Sequence, residues 1–249
     1  MHKKKILDLA IIIPTLNEEH FVGYLLDSIA SQSVLPKEIV VVDAYSADKT
    51  VMEVRKRQKT FPKLRLWRIP KFTIARQRNF GVKKASANHI LFLDADMEFK
   101  DSDALAKYIN EVSEKKCDVA AATNLPNSKY WKDQVFFKIE DLLFKGSRLI
   151  WPVVTARNLF VRRTVFEKNG GFDEELTVGE DQELVQRVIR NGSKFIFLNK
   201  VSLYTSTRRV QKEGRTKYAL KMIFFGLDII LKGRKKSNVA YEFGNFKRA

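Results

Sequence analysis

The chain has 249 residues, of which 45% are hydrophobic and 30% are charged, a globular composition that argues against long disorder. A single cysteine, Cys117, excludes an internal disulfide framework and any cysteine-rich zinc site. The net charge is +17, and most of it lies in residues 186–249, where 16 lysines and arginines face three acidic residues. Such a charge favours an anionic partner: nucleic acid, acidic lipid or a phosphorylated substrate.

No stretch of the sequence reaches the ~20 consecutive apolar residues that span a bilayer. The basic start is followed by an apolar run that Asp8 and Pro14 interrupt, so no secretory signal is predicted and cytoplasmic residence is expected. Residues 218–231 are mostly apolar with Lys221 among them, other basic residues flank them, and a basic cluster follows at 234–236. This pattern is typical of a helix at the inner face of the cell membrane, with burial against the protein's own core as the alternative.

Strand and helix patterns alternate along the first half of the chain. In chain order, beginning with a strand, they cover 9–13, 18–31, 38–42, 48–58, 64–69, 74–85, 89–93, 101–114 and 119–123. This order predicts an α/β fold with a mostly parallel, Rossmann-like central sheet flanked by helices. The second half is less regular, with helices predicted at 131–149 and 180–191 and a short strand at 158–162.

Polar residues follow the predicted strands, where open α/β sheets bind ligands. The segment 14–18, Pro-Thr-Leu-Asn-Glu, begins a helix whose amino terminus could face a nucleotide. Asp43 ends the second strand, in a position to accept hydrogen bonds from a base or ribose. Arg76 and Arg78 open the third helix, and either guanidinium could neutralise phosphate.

Two carboxylates, Asp94 and Asp96, close the strand predicted at 89–93. Carboxylates this close repel each other, and a cation relieves the repulsion. A hard divalent ion such as Mg²⁺ binds one or two carboxylates and completes its shell with waters and phosphate oxygens. The pattern therefore indicates a metal site that holds a diphosphate, with a solvated turn as the alternative.

In chain order, four segments resemble the nucleotide-sugar half of family 2 glycosyltransferases, which have the GT-A fold: P-T-x-N-E at 14–18, V-V-D-x-x-S-x-D-x-T at 41–50, A-R-Q-R-N-x-G at 75–81 and D-A-D at 94–96. The resemblance continues through G-G-F-D-E at 170–174 and G-E-D-Q-E-L at 179–184, and it covers about residues 9–205.

The resemblance implies a division of the chain into parts. A GT-A-like catalytic domain is expected over 1–205, with the nucleotide sugar bound by 1–123 and the acceptor by 124–205. A basic amphipathic helical extension would follow over 206–249. The donor is expected to be a UDP- or GDP-sugar, and the acceptor a glycan or a lipid-linked polyprenyl phosphate.

The resemblance also implies roles for individual residues. Those expected to bind the nucleotide sugar are Pro14, Thr15, Asn17, Glu18 and Asp43 around the nucleobase and ribose, Arg76 or Arg78 at the nucleotide, and Asp94 by the ribose and metal. Asp96, with Asp94, would hold the Mg²⁺ or Mn²⁺ that bridges the diphosphate.

The pair Glu180-Asp181 matches the position of the family's catalytic base. Inversion at an anomeric carbon needs a carboxylate opposite the leaving group to take the proton of the acceptor hydroxyl. Asp181 is expected to be this base, with Glu180 as an orienting neighbour. The alternative is that both acids stabilise the amino terminus of a helix.

One motif of the family is absent from this sequence, and its absence narrows the type of glycosyltransferase that is expected. The Q-x-x-R-W motif of processive polysaccharide synthases is missing, which favours a single addition per acceptor. In its place Arg208 and Arg209 follow Tyr204-Thr205-Ser206-Thr207, and either could grip the diphosphate or an acceptor phosphate; an ordinary basic turn is the alternative.

Two other functions remain as alternatives. A sugar-phosphate nucleotidyltransferase would need a glycine-rich basic loop after the first strand, and residues 14–18 contain neither glycine nor lysine. A nucleic-acid-binding protein would be supported by the net charge alone, so nucleic acid is not expected as a partner.

Overall fold

The structure is a computed structural model that describes residues 4–59, 61, 63–70, 73–147, 157–215 and 217. Eight strands form one sheet in the order β3-β2-β1-β4-β7-β6-β8-β5. The strands are β1 Lys5–Thr15, β2 Val34–Asp43, β3 Leu64–Arg68, β4 His89–Leu93, β5 Met97–Glu98, β6 Val119–Pro126, β7 Asn158–Arg162 and β8 Phe195–Thr205. The helices of the described residues are α1 Val22–Ala30, α2 Thr50–Gln58, α3 Ile74–Lys84, α4 Ala104–Glu114, α5 Trp131–Ser147, α6 Arg163–Lys168, α7 Glu180–Arg190 and α8 Arg208–Glu213.

The first four strands are parallel, with β1 at the centre between β2 and β4. Residues 9–15 of β1 are all buried, because helices cover both faces of the sheet there. Successive residues enter opposite cores: Ile11 packs with the residues of α1 and α4, and Ile12 packs with those of α3 and α7. The predicted α/β fold with helices on both faces is therefore confirmed.

The second half of the sheet mixes directions. Strand β7 runs antiparallel to both β4 and β6, β6 is parallel to β8, and β5 closes the edge antiparallel to β8. Four of the seven pairings are thus parallel, and the antiparallel ones all belong to the half that the sequence pattern left irregular. Residues 94–96 follow β4 directly and therefore lie at its carboxyl end, before the chain enters β5 at the far edge of the sheet.

Strand β8 was not predicted, because a bulge breaks its alternation of apolar residues. Its pairing with β6 passes from Leu198 to Ser202, so residues 199–201 stand outside the register. The buried carboxylate of Glu111 accepts hydrogen bonds from the backbone N–H groups of Asn199 and Lys200 at this bulge. A long-range contact therefore stabilises a strand that local pattern alone does not reveal.

Several boundaries differ from those predicted. Helix α1 begins at Val22 rather than at Glu18, whose backbone N–H donates to the hydroxyl of Thr50 at 2.7 Å. Helix α7 ends as expected, with Gly192 at φ +83° just past its last turn. Of the extension predicted over 206–249, α8 is described, and 218–249 lie outside the described residues. Within the described ranges no helix is long and apolar enough to cross a bilayer.

Candidate active site at the carboxyl edge of the sheet

The segment 75–81 aligns the strand ends that carry the candidate site. The buried side-chain amide of Gln77 donates to the carbonyl oxygens of Thr15 at 3.0 Å and Val42 at 2.8 Å, so it joins the ends of β1 and β2. Asn79 exchanges hydrogen bonds with the backbone N–H and C=O of Phe172. The sequence pattern indicates no role for either residue, and both hold the strand-end loops in place.

Glycine at position 81 has a steric reason. A Cβ atom there would lie 2.4 Å from Cγ2 of Ile12, so α3 approaches the sheet more closely than any larger residue would permit. This close approach holds α3 against the sheet, and Arg78 of α3 reaches Asp94 at the carboxyl end of β4.

Asp43 is the centre of a polar cluster after β1 and β2. It is fully buried, accepts a hydrogen bond from the hydroxyl of Thr15 at 3.2 Å and is bound by both the N–H and the hydroxyl of Ser46. Arg68, at the end of β3, donates its Nε–H to the same carboxylate at 3.3 Å. The sequence pattern predicts Thr15 and Asp43 at one site, and it does not indicate Ser46 and Arg68 as their partners.

Asn17 connects the same two loops. Its φ is +57°, in the left-handed region that asparagine tolerates better than most residues. Its N–H donates to the hydroxyl of Ser46 at 2.9 Å, and its side-chain oxygen accepts from the N–H of Ala47 at 2.9 Å. Pro14 is buried within β1 opposite Val42, one residue before Thr15. The predicted residues of this loop therefore lie together.

Arg78 connects the strand-end carboxylate to the helix that begins at residue 180. Its side chain is only 2% exposed, and its two Nη groups donate to Asp94 at 2.9 Å and to Glu180 at 2.8 Å. Arg76 points elsewhere: it is exposed and lies 3.9 Å from Glu174. The structure therefore brings Arg78, and not Arg76, to the paired carboxylates.

Burial and charge shift the proton affinities of these acids. The pKa of Glu180 is raised to about 7, chiefly by burial and also by the adjacent Asp181, against the lowering effect of Arg78. Burial also raises the pKa of Asp94, against the lowering influence of Arg78. Several carboxylates lie close together in this region, so a ligand that is cationic or that donates hydrogen bonds would be stabilised there.

Glu180 and Asp181 occupy the first turn of α7. Gly179 precedes them at φ +78°, the left-handed conformation in which glycine is unstrained. Glu180 is buried against Arg78, whereas Asp181 is half-buried and accepts a hydrogen bond from the N–H of Gln182 at 2.7 Å. Stabilisation of the helix amino terminus, the alternative function of both acids, is compatible with this geometry.

Arg208 closes the other side of the edge. Its guanidinium binds both carboxylate oxygens of Glu18, at 2.7 and 2.6 Å, and lies 3.4 Å from Oδ2 of Asp96. Burial raises the pKa of Glu18 to about 7, although Arg208 acts to lower it. Arg209 adds positive charge that opposes the effect of burial on the pKa of both Glu18 and Asp94. The extension therefore contributes to the candidate site.

Asp94 and Asp96 offer a suitable donor set for a divalent cation. Both are half-buried, and both supply the hard carboxylate oxygens that Mg²⁺ and Mn²⁺ prefer. Among the described residues, no group of three or more histidine, cysteine, aspartate or glutamate side chains is arranged to hold a metal ion. A cation at this pair would need further oxygens from a ligand such as a diphosphate, and Mg²⁺ is commonly bound in that way.

The fold and this edge define an α/β protein with paired carboxylates and two arginines at the carboxyl ends of its parallel strands. The family model for glycosyl transferase family 2 matches residues 10–170, and the chain belongs to this family. The matched region includes the loops around Asp43, Arg78 and Asp94. Residues 180, 181, 208 and 209 lie beyond it.

Curated relatives agree with the family. The poly(ribitol-phosphate) β-N-acetylglucosaminyltransferase TarS of Staphylococcus aureus is 27% identical over 224 residues, which cover 87% of this chain and 38% of TarS. The O-antigen chain rhamnosyltransferase RfbN of Salmonella typhimurium is 24% identical over 229 residues, which cover 85% of this chain and 70% of RfbN. The chain thus spans well under half the length of TarS.

Solved structures agree with the fold. The structure of S. aureus TarS 1–349 in complex with UDP-GlcNAc superposes with a TM-score of 0.66 at 24% identity, over 81% of this chain and 59% of that one. The mannosyltransferase PcManGT of Pyrobaculum calidifontis, in complex with GDP-Man and Mn²⁺, gives a TM-score of 0.70 at 21% identity, over 94% of this chain and 67% of the other. These likenesses show that the protein has the GT-A fold.

Proposed function

We propose that the protein is an inverting, non-processive glycosyltransferase that moves a sugar from a UDP- or GDP-sugar to a glycan or a polyprenyl phosphate. The observation that carries the proposal is the buried Arg78, which joins Asp94 at the end of β4 to Glu180 at the start of α7. Through this link the diphosphate end of a donor would lie beside the acids proposed to act on the acceptor.

The nucleoside would bind at the polar cluster around Asp43. Thr15, Asn17 and Asp43 form a connected set of hydrogen-bonding groups at the strand ends. Arg68 lies 4.8 Å from the ring centre of Tyr45, whose φ of +52° marks a tightly constrained loop. These polar and aromatic groups suit recognition of a base and ribose.

The diphosphate would bind between two arginines. Arg78 approaches Asp94 from α3, and Arg208 approaches Asp96 from α8, so the two guanidinium groups flank the paired carboxylates. Planar guanidinium groups suit bidentate contacts with phosphate oxygens. Arg78 is preferred to Arg76 because the latter lies on the exposed side of α3.

Asp96, together with Asp94, would hold Mg²⁺ or Mn²⁺, which would supply charge stabilisation to the departing nucleoside diphosphate. The Mn²⁺ in the PcManGT complex supports this choice of ion. Arg208 lies 3.4 Å from Asp96. Because a cation and Arg208 would both be attracted to this carboxylate, Arg208 would shift toward the negatively charged phosphates of the donor.

Asp181 would remove the proton of an acceptor hydroxyl, and Glu180 would position it through the pair with Arg78. Asp181 is half-buried, whereas Glu180 is buried, so Asp181 is the better placed to meet an acceptor. An acceptor that is already a phosphate monoester needs no base. Activity with such an acceptor would therefore depend less on Asp181.

We also propose that the protein works at the cytoplasmic face of the membrane, as a peripheral protein. The support is compositional: residues 218–231 are mostly apolar, and basic residues flank them, including the cluster at 234–236. A polyprenyl phosphate acceptor would be presented at such a surface. Nucleic acid remains an unexpected partner.

The proposed function is tested by a donor screen. Purified protein is incubated with UDP- and GDP-sugars, with and without Mn²⁺, and release of the nucleoside diphosphate is measured. We expect metal-dependent release from one donor. Asp96→Asn should lower the rate of this release by about 100-fold or more. With a hydroxyl acceptor, Asp181→Asn should lower the rate by about 100-fold or more as well. Asp103→Asn is the matched control, because Asp103 is an exposed carboxylate at the start of α4. Failure to use any sugar nucleotide, or full activity in Asp96→Asn, would contradict the proposal.

A further inference from the structure

Helix α5 presents its apolar residues outward. Its exposed residues between 131 and 146 are five apolar side chains, two lysines and a glycine: Trp131, Lys132, Val135, Lys138, Ile139, Leu142, Leu143 and Gly146. At 100° per residue they fall within an arc of about 140°, so they form one continuous surface. We call these eight residues the α5 face. Trp131 is 63% exposed and Leu142 is 72% exposed, far more than such residues usually are.

The opposite side of α5 carries the carboxylates, and they are bound to the rest of the protein. Asp133 is fully buried and accepts a hydrogen bond from Nε of Arg215 at 2.7 Å. Glu140 binds the guanidinium of Arg157 at 3.2 Å. The helix could not turn its apolar face inward without breaking these buried ion pairs, which are costly to break. Its outward orientation is therefore fixed by the structure.

The α5 face is positively charged as well as apolar. Lys132 lies 5.6 Å from the ring centre of Trp131. Lys132 and Lys138 lie toward the two sides of the arc, with most of the apolar residues between them. No described carboxylate of α5 is exposed beside them. An exposed apolar patch marks an interaction site. Tryptophan and aliphatic side chains flanked by lysines are the composition that binds the interface of an anionic bilayer.

The charge also distinguishes a bilayer from a second copy of the chain. Two α5 faces packed together would bring Lys132 and Lys138 of both copies into one apolar interface, where like charges are unfavourable. An anionic lipid surface instead supplies the opposite charge around the apolar contact. Charge complementarity therefore favours lipid.

The α5 face is also structurally connected to the candidate active site. Arg157 holds Glu140 of α5 through its guanidinium, and its backbone carbonyl accepts a hydrogen bond from the N–H of Asp94 at 2.9 Å. One residue thus links the helix to the paired carboxylates. We propose that the α5 face docks onto an anionic lipid bilayer and holds this edge of the sheet at the membrane surface. The inference deepens the membrane contact of the proposed function by adding a second, structurally described surface.

The test is co-flotation of the full-length protein with vesicles of phosphatidylcholine, with and without phosphatidylglycerol, at low salt and without donor. The double variant Ile139→Glu, Leu142→Glu places charge on the α5 face. The double variant Tyr24→Glu, Met52→Glu is the matched control, because both residues are exposed apolar side chains on α1 and α2. We expect the wild type and the control to float with anionic vesicles. The α5 variant should bind at least about tenfold more weakly, since two aliphatic side chains no longer enter the interface.

Four outcomes would overturn the inference. The wild type fails to float, or the α5 variant floats as well as the control. Sedimentation velocity shows a wild-type dimer that the α5 variant loses, which would assign the face to a second copy. The α5 variant melts well below the control, which would assign the face to another segment of the same chain. Nucleoside diphosphate release, measured in parallel, reports on the proposed function separately, because neither double variant alters a residue of the candidate active site.

Discussion

Arg208 and Glu18 form a bidentate ion pair, with N···O distances of 2.7 and 2.6 Å. The two residues are 190 positions apart in the sequence. The pair fastens α8 to the loop after β1, and the same guanidinium lies 3.4 Å from Asp96. A segment beyond the matched family region is thereby built into the edge of the sheet that carries the candidate site. The ring of Phe21, 4.6 Å from the guanidinium carbon, covers the pair.

Arg208→Ala should lower the free energy of unfolding by about 3 kcal/mol, because it leaves the buried Glu18 without its partner. The exposed Arg55 provides a control, since Arg55→Ala should change stability by less than about 0.5 kcal/mol. Urea denaturation at neutral pH measures both. Equal stability of the two variants would show that the ion pair does not hold α8 to the site.

Arg78→Ala should reduce the rate of transfer by about 100-fold or more, because it removes the buried cation between Asp94 and Glu180. Arg76→Ala should change the rate by no more than about twofold, because Arg76 is exposed beside Glu174. Steady-state kinetics with the donor identified by the screen measure both. A larger loss in Arg76→Ala would reverse the assignment. Circular dichroism checks that both variants fold.

Gly81→Ala should destabilise the protein by about 1–3 kcal/mol, because the new methyl group would meet Ile12 in a packed core. Gly146→Ala is the matched change, since Gly146 also lies in a helix and has open space around its Cβ position. It should be neutral or stabilising by up to about 1 kcal/mol. Thermal melts measure both variants. Equal melting temperatures for the two would disprove the close approach of α3 to β1.

Stability should depend on pH through Glu180. Its pKa is raised from 4.5 to about 7 in the folded protein, so between these values the folded state holds more protons than the unfolded one. The free energy of unfolding contributed by this group therefore falls as pH rises from 4.5 to 7 and is constant above that. Glu180→Gln should make the pH profile less steep over this window, although Glu18, whose pKa is also raised to about 7, keeps part of the slope. Glu175→Gln, an exposed control, should leave the profile unchanged. Chemical denaturation at a series of pH values measures the slopes.

The strand-end loops could be predicted because buried strands read as apolar runs and the residues after them are polar. Asp43 and Asp94 were found in this way, and the structure places both at the carboxyl edge. Strand β8 could not be found, because the bulge after Leu198 is stabilised by the distant Glu111. Local pattern carries no information about such a contact.

The motif alone leaves Arg76 and Arg78 as alternatives, although the helical spacing of α3 distinguishes a buried arginine from an exposed one. The buried positions of α3 include Ala75, Arg78, Asn79 and Val82, which follow the helical spacing of three and four residues. Arg76 falls on the opposite side. The partners of Asp43, by contrast, come from separate strands and loops, and nothing in the sequence near Arg68 indicates that it reaches this carboxylate.

The proposed sugar transfer is a direct displacement at the anomeric carbon. The carboxylates after β4 act at the leaving group, and Asp181 acts at the acceptor. The most direct test is nuclear magnetic resonance of the first product formed from the matched donor and an acceptor, with the anomeric coupling constant as the readout. We predict a product whose anomeric configuration is opposite to that of the donor sugar. Retention of the donor's configuration would contradict the account.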